Sequence, residues 1–167
     1  GPLKDKLAPI SDKIIEGDDA TIVLNQTPFY AESGGQIGDR GQIFSDSVDF
    51  RVTDTQKKIN GLHAHVGKLI KGKVFVNDIL NLQIDIDYRK KIMANHSATH
   101  LLHETLRRVL GDHVTQKGSQ VSPQKLRFDF SHSKALSKSE LEDVELTINQ
   151  IILRNSPVST EILSYDE

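Results

Sequence analysis

The 167-residue chain has no cysteine. Disulfides, thiolate nucleophiles and any cysteine-containing zinc site made from this chain alone are therefore excluded, and a bound metal must be held by histidine and oxygen. Apolar runs are also short: none approaches the ~20 residues needed to cross a bilayer, and no signal-peptide core opens the chain. The expected setting is cytoplasmic, with no membrane partner. A formal net charge of -2 gives no overall bias toward nucleic acid. What remains is an ordinary globular composition, enough for one domain or two small lobes. Gly1-Pro2-Leu3 reads as the remnant of a cleaved purification tag and is set aside.

Charge is uneven along the chain. Between Tyr88 and Lys138 stand ten basic residues (Arg89, Lys90, Lys91, Arg107, Arg108, Lys117, Lys125, Arg127, Lys134, Lys138) against three acidic ones (Glu104, Asp112, Asp129). Acidic residues collect toward both ends.

Residues 4–19 are polar and without period, which predicts a lead-in with at most a short helical turn. The β-branched run Thr21-Ile22-Val23-Leu24 predicts a first strand. Gly34, Gly35, Gly38 and Gly41 then fall within eight residues, a turn-rich loop whose spacing fits neither phosphate-cradling template. Strands are expected at 42–44, 48–53, 62–66 and 80–86, with Asn60-Gly61 as a hairpin signal. Many short strands with no helix among them predict a small β-barrel lobe over residues 4–87. His63 and His65 share one face of their strand, and no third ligand stands near them in sequence.

At Asp87 the apolar period changes from two to 3.6, predicting a helix from Tyr88 to Leu110 capped by Asp87 and ended by Gly111. Ala94, Ala98, Leu101, Leu102, Leu106, Val109 and Leu110 supply its apolar face. Strands are expected at 118–121 and 126–130. Ser137-Lys138-Ser139-Glu140 is a capping box opening a second helix, whose buried stripe is Leu141, Val144, Ile148, Ile151 and Ile152. A last strand is expected at 158–163. The fold class is α+β: the barrel lobe, then a two-layer α/β lobe over residues 88–167 with helices on an antiparallel sheet, expected to be incomplete.

The middle of the first helix reads Asn95-His96-Ser97-Ala98-Thr99-His100-Leu101-Leu102-His103. His96 and His100, four apart, leave one face with Cβ atoms roughly 5–6 Å apart, so both imidazoles can reach one metal ion. His103 lies roughly 20° from His96 around the helix. The zincin template carries a glutamate directly after its first histidine to activate water; Ser97 holds that place, which disfavours a metalloprotease.

Four stretches carry a more specific signal: 29–36 (Phe-Tyr-Ala-Glu-Ser-Gly-Gly-Gln), 95–102, 116–119 (Gln-Lys-Gly-Ser) and 126–132 (Leu-Arg-Phe-Asp-Phe-Ser-His). In this order they resemble the editing domain of alanyl-tRNA synthetase and its free-standing trans-editing relatives. The resemblance implies hydrolysis of the ester joining serine or glycine to the 3′ end of tRNA(Ala), in a zinc-containing site. It also implies that His96 and His100 are two zinc ligands and that Thr99, Gln116 and Ser119 line the editing pocket; His103 matches no family ligand and is expected to be a neighbour that packs or hydrogen-bonds near the site. The family completes its metal site with a Cys-x-x-x-His segment that has no counterpart here, so the chain is expected to be a fragment holding half the ligands, with weak or absent zinc binding and little activity of its own. Arg89, Lys90, Lys117 and Arg127 are the candidates for contact with the tRNA acceptor end. The other expected partners are the remaining domains of a parent synthetase. The competing possibilities are a non-catalytic module that docks the acceptor stem and a free-standing deacylase.

Overall fold

A computed structural model describes residues 10–157. The expectations for residues 1–9, including the tag remnant, and for a strand at 158–163 lie outside the described residues. Twelve elements follow one another: β1 (Lys13–Ile15), β2 (Asp19–Val23), β3 (Gly41–Phe44), β4 (Asp49–Lys57), a single 3-10 turn (Ile59–Gly61), β5 (His63–Lys71), β6 (Lys73–Phe75), β7 (Asn81–Ile84), α1 (Ile86–Leu110), β8 (Gln116–Val121), β9 (Leu126–Phe130) and α2 (Lys138–Arg154). The fold is α+β, and every strand pairing is antiparallel.

Five strands form one sheet in the order β2-β5-β4-β3-β7. The expected closed barrel does not form among the described residues, because the edge strands β2 and β7 do not pair with each other. The apolar face of the sheet is closed instead by other means. Ile43, Phe50, Val52 and Leu69 are covered by Phe29 from the β2–β3 connection and by Ile14 and Val74 from a separate β1–β6 pair. Burying apolar area is what stabilises a sheet with a solvated second face, and a covering loop does this as well as closure. The hairpin signal at Asn60-Gly61 holds, with both residues at positive φ (64° and 75°), but β4 and β5 run longer than expected on either side.

Helix α1 starts two residues earlier than expected. Asp85 is its cap, accepting from the Tyr88 backbone N–H at 2.9 Å, while Asp87 sits in the first turn, where its charge favours the positive helix end. Gly111 ends the helix at positive φ (114°), although its ψ of 164° is extended rather than left-handed helical. The capping box of α2 forms as expected. Its buried stripe is narrower: Val144 is buried and Ile148 packs beside it, while Leu141 and Ile152 are both 52% exposed. The cause is the small partner surface, since α2 packs on α1, which also carries the two-stranded β8–β9 hairpin, and the three share one small cluster around Leu106, Val114, Phe128 and Phe130. No described helix is long and apolar enough to cross a membrane.

Candidate functional site

The site begins with a turn. Ser33 and Gln36 exchange backbone hydrogen bonds (N–H to O, 3.1 and 3.0 Å), and the two residues between them, Gly34 and Gly35, take φ of +58° and +84°. Two consecutive positive φ values are the demand of a type I′ turn, which glycine meets without a Cβ penalty. The turn then lies along β8. Val121 donates to the Gly35 carbonyl at 2.8 Å, Ile37 donates to the Val121 carbonyl at 3.3 Å, and Gln36 and Val121 form a parallel bridge. Gly35 comes so close that a Cβ there would stand 2.5 Å from Ser119 Oγ and 2.7 Å from the Ser119 carbonyl oxygen.

The base of the loop is tied to the helix by charge. Asp39, 1% exposed, accepts from the Tyr30 backbone N–H at 2.7 Å and from Arg89 Nε at 3.1 and 3.2 Å, with the Arg89 Nη2 atom closing the pair. Arg89 Nη2 also donates to the Pro28 carbonyl at 2.7 Å. Removing two charges from water is costly unless each is paired and hydrogen-bonded, and here both conditions hold. Further along α1, the Asn95 side chain donates to the Ser122 carbonyl at 2.7 Å, anchoring the helix to the β8–β9 turn.

Immediately beyond the Asn95 anchor the histidines meet the loop. His96 Nε2 and His100 Nε2 stand 3.1 Å apart, and His96 Nδ1 lies 2.7 Å from Gln36 Oε1. Two donors at about 2.0–2.1 Å from one tetrahedral ion stand about 3.3–3.4 Å apart, so the pair fits two of its four positions. Among the described residues no group of three or more histidine, cysteine, aspartate or glutamate side chains comes together, so the pair supplies two donors there. The His96 pKa is lowered, chiefly by burial and secondarily by the neighbouring His100, which favours the neutral, lone-pair-bearing ring that a metal requires.

The remaining candidates are placed as follows. Thr99 is buried, and its hydroxyl donates to the Asn95 carbonyl at 2.8 Å, a bond back to its own helix that leaves its acceptor lone pairs. Ser119 is half-buried on β8 under Gly35. Gln116 opens β8, exposed and opposite Phe130, and no hydrogen bond among the described residues joins it to the histidine pair. Lys117 is skipped by the pairing at an irregularity in the register, and it is exposed, as is Lys90. Arg127 pairs with Asp129 at 3.2 Å on the surface. Arg89 differs most from its expected surroundings, because its guanidinium is occupied by Asp39 and Pro28. His103 packs on the Phe128 ring with centroids 5.3 Å apart. His63 and His65 are absorbed by the fold: His63 Nδ1 meets the Phe29 carbonyl, and His65 bonds the Ile22 carbonyl and Thr27 Oγ1.

Gln36 had no role assigned by spacing, and neither had Asn95 or Asp39. The glycine turn beside Gln36 was legible, but nothing in sequence joins it to a histidine 60 residues away.

Comparison with known proteins adds two findings. Residues 5–88 match the family described as tRNA synthetases class II (A). The chain is also 53% identical over 157 residues to the alanine-tRNA ligase of Parvibaculum lavamentivorans, covering 93% of this chain and 18% of that protein. To the corresponding ligase of Mesorhizobium japonicum it is 51% identical over 156 residues, again 93% and 18%. The chain thus spans under a fifth of the length of these relatives.

Proposed function

The chain belongs to the class II (A) tRNA synthetases, its sequence matching a segment of alanine-tRNA ligases, and on that premise we propose that it is the editing segment of such a ligase. In this reading it hydrolyses the aminoacyl ester of seryl- or glycyl-tRNA(Ala) in a cytoplasmic protein. The observation that carries the reading is the His96–His100 pair, with facing Nε2 atoms 3.1 Å apart. Those two residues would hold zinc, with further ligands from outside the described residues, and a bound zinc would supply Lewis acidity to polarise the substrate or its attacking water.

The rest is assigned to this chain's own groups. Thr99 and Ser119 offer hydroxyls, and Gln116 an amide, to the hydroxyl that distinguishes serine from alanine. A site built to pair a polar group rejects an analogue lacking it far more strongly than an apolar pocket rejects an extra methylene. Lys90, Lys117 and Arg127 offer exposed positive charge to the phosphates of the acceptor end, which contributes affinity without reading sequence. Arg89 acts one step back, holding the loop that carries Gln36.

A second reading, a module that docks the acceptor stem without catalysis, has one observation in its favour: only two metal donors meet among the described residues. Deacylation of Ser-tRNA(Ala) by the parent protein separates the two. His96→Ala and Thr99→Ala are expected to slow serine release at least tenfold while tRNA binding is retained. Unchanged release in both variants would sink the editing assignment.

A further inference from the structure

Within the editing reading above, we propose that Gln36 is a positioning residue that fixes the tautomer of His96, making the two histidines unequal partners for a metal. Gln36 Oε1 can only accept a hydrogen bond, so the 2.7 Å contact places a proton on His96 Nδ1. The neutral ring then carries its lone pair on Nε2, the atom that faces His100. Across the 3.1 Å gap, His100 Nε2–H donates to that lone pair. The three side chains form a directed relay, from His100 Nε2–H to His96 Nε2 and from His96 Nδ1–H to Gln36 Oε1.

The consequence for a metal is an ordered site. His96 already presents a free Nε2 and needs no proton movement. His100 must give up its Nε2 proton, or shift it to Nδ1, and its exposed ring leaves Nδ1 open to water. A carbonyl that takes the second ring N–H of a metal-bound histidine sets ring orientation and raises basicity, and losing such a partner typically costs about 10–100-fold in metal affinity. The geometry also explains why the partner sits on the glycine turn: Gln36 is half-buried and held on both sides, by the Ser33 exchange before it and the β8 bridge after it.

The test is a direct reading of the proton position. Histidine-15N-labelled chain near pH 8, where imidazoles are neutral, is examined by two- and three-bond 15N–1H correlation, with Gln36→Leu and Gln36→Glu beside the unsubstituted chain. The expected result is the Nδ1–H form of His96 in the unsubstituted chain, its loss in Gln36→Leu, and its retention in Gln36→Glu, whose carboxylate still accepts. An Nε2–H form in the unsubstituted chain, as a flipped Gln36 amide would produce, overturns the proposal, and so does a tautomer indifferent to Gln36→Leu. A side chain that merely filled space would not separate Leu from Glu in this way. In the parent protein, zinc affinity is expected to fall at least tenfold in Gln36→Leu and to recover in Gln36→Glu. An unsubstituted parent that binds no zinc would refute the editing site while leaving the tautomer result standing.

Discussion

Gly34 and Gly35 offer a controlled pair of substitutions, because both hold a positive φ and they differ in what lies around them. Alanine at either position must hold a positive φ, at a cost of about 1–2 kcal/mol. Both substitutions also reduce the freedom of the unfolded chain by the same amount, worth about 0.4–1 kcal/mol in the stabilising direction. That contribution cancels in the comparison. At Gly34 nothing stands within 4 Å of the new methyl group. At Gly35 the methyl would meet Ser119 Oγ, which can rotate away, and the Ser119 carbonyl oxygen at 2.7 Å, which cannot, because its strand is paired to β9. Relief requires the loop and β8 to part by roughly 0.7 Å or more, and overpacking of this kind costs about 1–3 kcal/mol. Gly35→Ala should therefore be less stable than Gly34→Ala by about 1–3 kcal/mol. Urea denaturation with linear extrapolation measures this, provided the slopes of the two variants agree. Losses equal to within about 0.5 kcal/mol would refute the seating of the turn on β8.

Three further outcomes follow from other contacts. Arg89→Ala leaves the buried Asp39 carboxylate without its ion partner; because Arg89 itself is 30% exposed, the expected destabilisation is about 2–4 kcal/mol, at the lower side of the range for fully buried pairs, and chemical denaturation checks it. His65 has its pKa lowered, mainly by burial, so the unfolded chain takes up its proton first. Its contribution to stability is complete above the unfolded value near 6.5 and is lost as pH falls below it, and His65→Gln should flatten the slope of stability against pH below about 6.5. Glu140, bonded to the Ser137 backbone and hydroxyl, has its pKa lowered to about 2; its stabilising effect is present above the ordinary carboxyl value and fades toward pH 2. Ser137→Ala should cost about 1 kcal/mol in thermal or urea unfolding at neutral pH.

How much could be seen in advance depended on distance along the chain. The period of α1, the capping box at Ser137 and the Asn60-Gly61 turn are local patterns, and all three form. Strands β1 and β6 were not anticipated: each is three residues long, too short for alternation to register, and they exist through pairing with each other across some 60 positions. Asp85 and Asp87 both suit a helix start, and the choice between them is set by where β7 ends. The histidine pair was visible because it is contained in one helical turn. Gln36 was visible only as the end of a glycine turn. Likewise Arg89 could be counted as a positive charge, whereas its engagement by Asp39, 50 positions upstream, could not. Sequence spacing therefore found the histidine pair and missed the groups that contact it or hold its surroundings.

Helix α1 holds contacts of three kinds along its 25 residues. Its first turn is bound through Arg89 to Asp39 in the β2–β3 connection, which Thr55 of β4 holds in turn, its middle to the glycine turn through His96 and to the hairpin through Asn95, and its end to α2 through Leu106. A molecule joined along one shared rod has no seam at which half of it can melt first. Loss of the sheet releases the start of the rod, and loss of the hairpin releases its end. Denaturation should therefore proceed as one cooperative event, with the signals of tyrosine environment and helix content changing together. Two separated transitions would show that the rod breaks in its middle, where the histidines are.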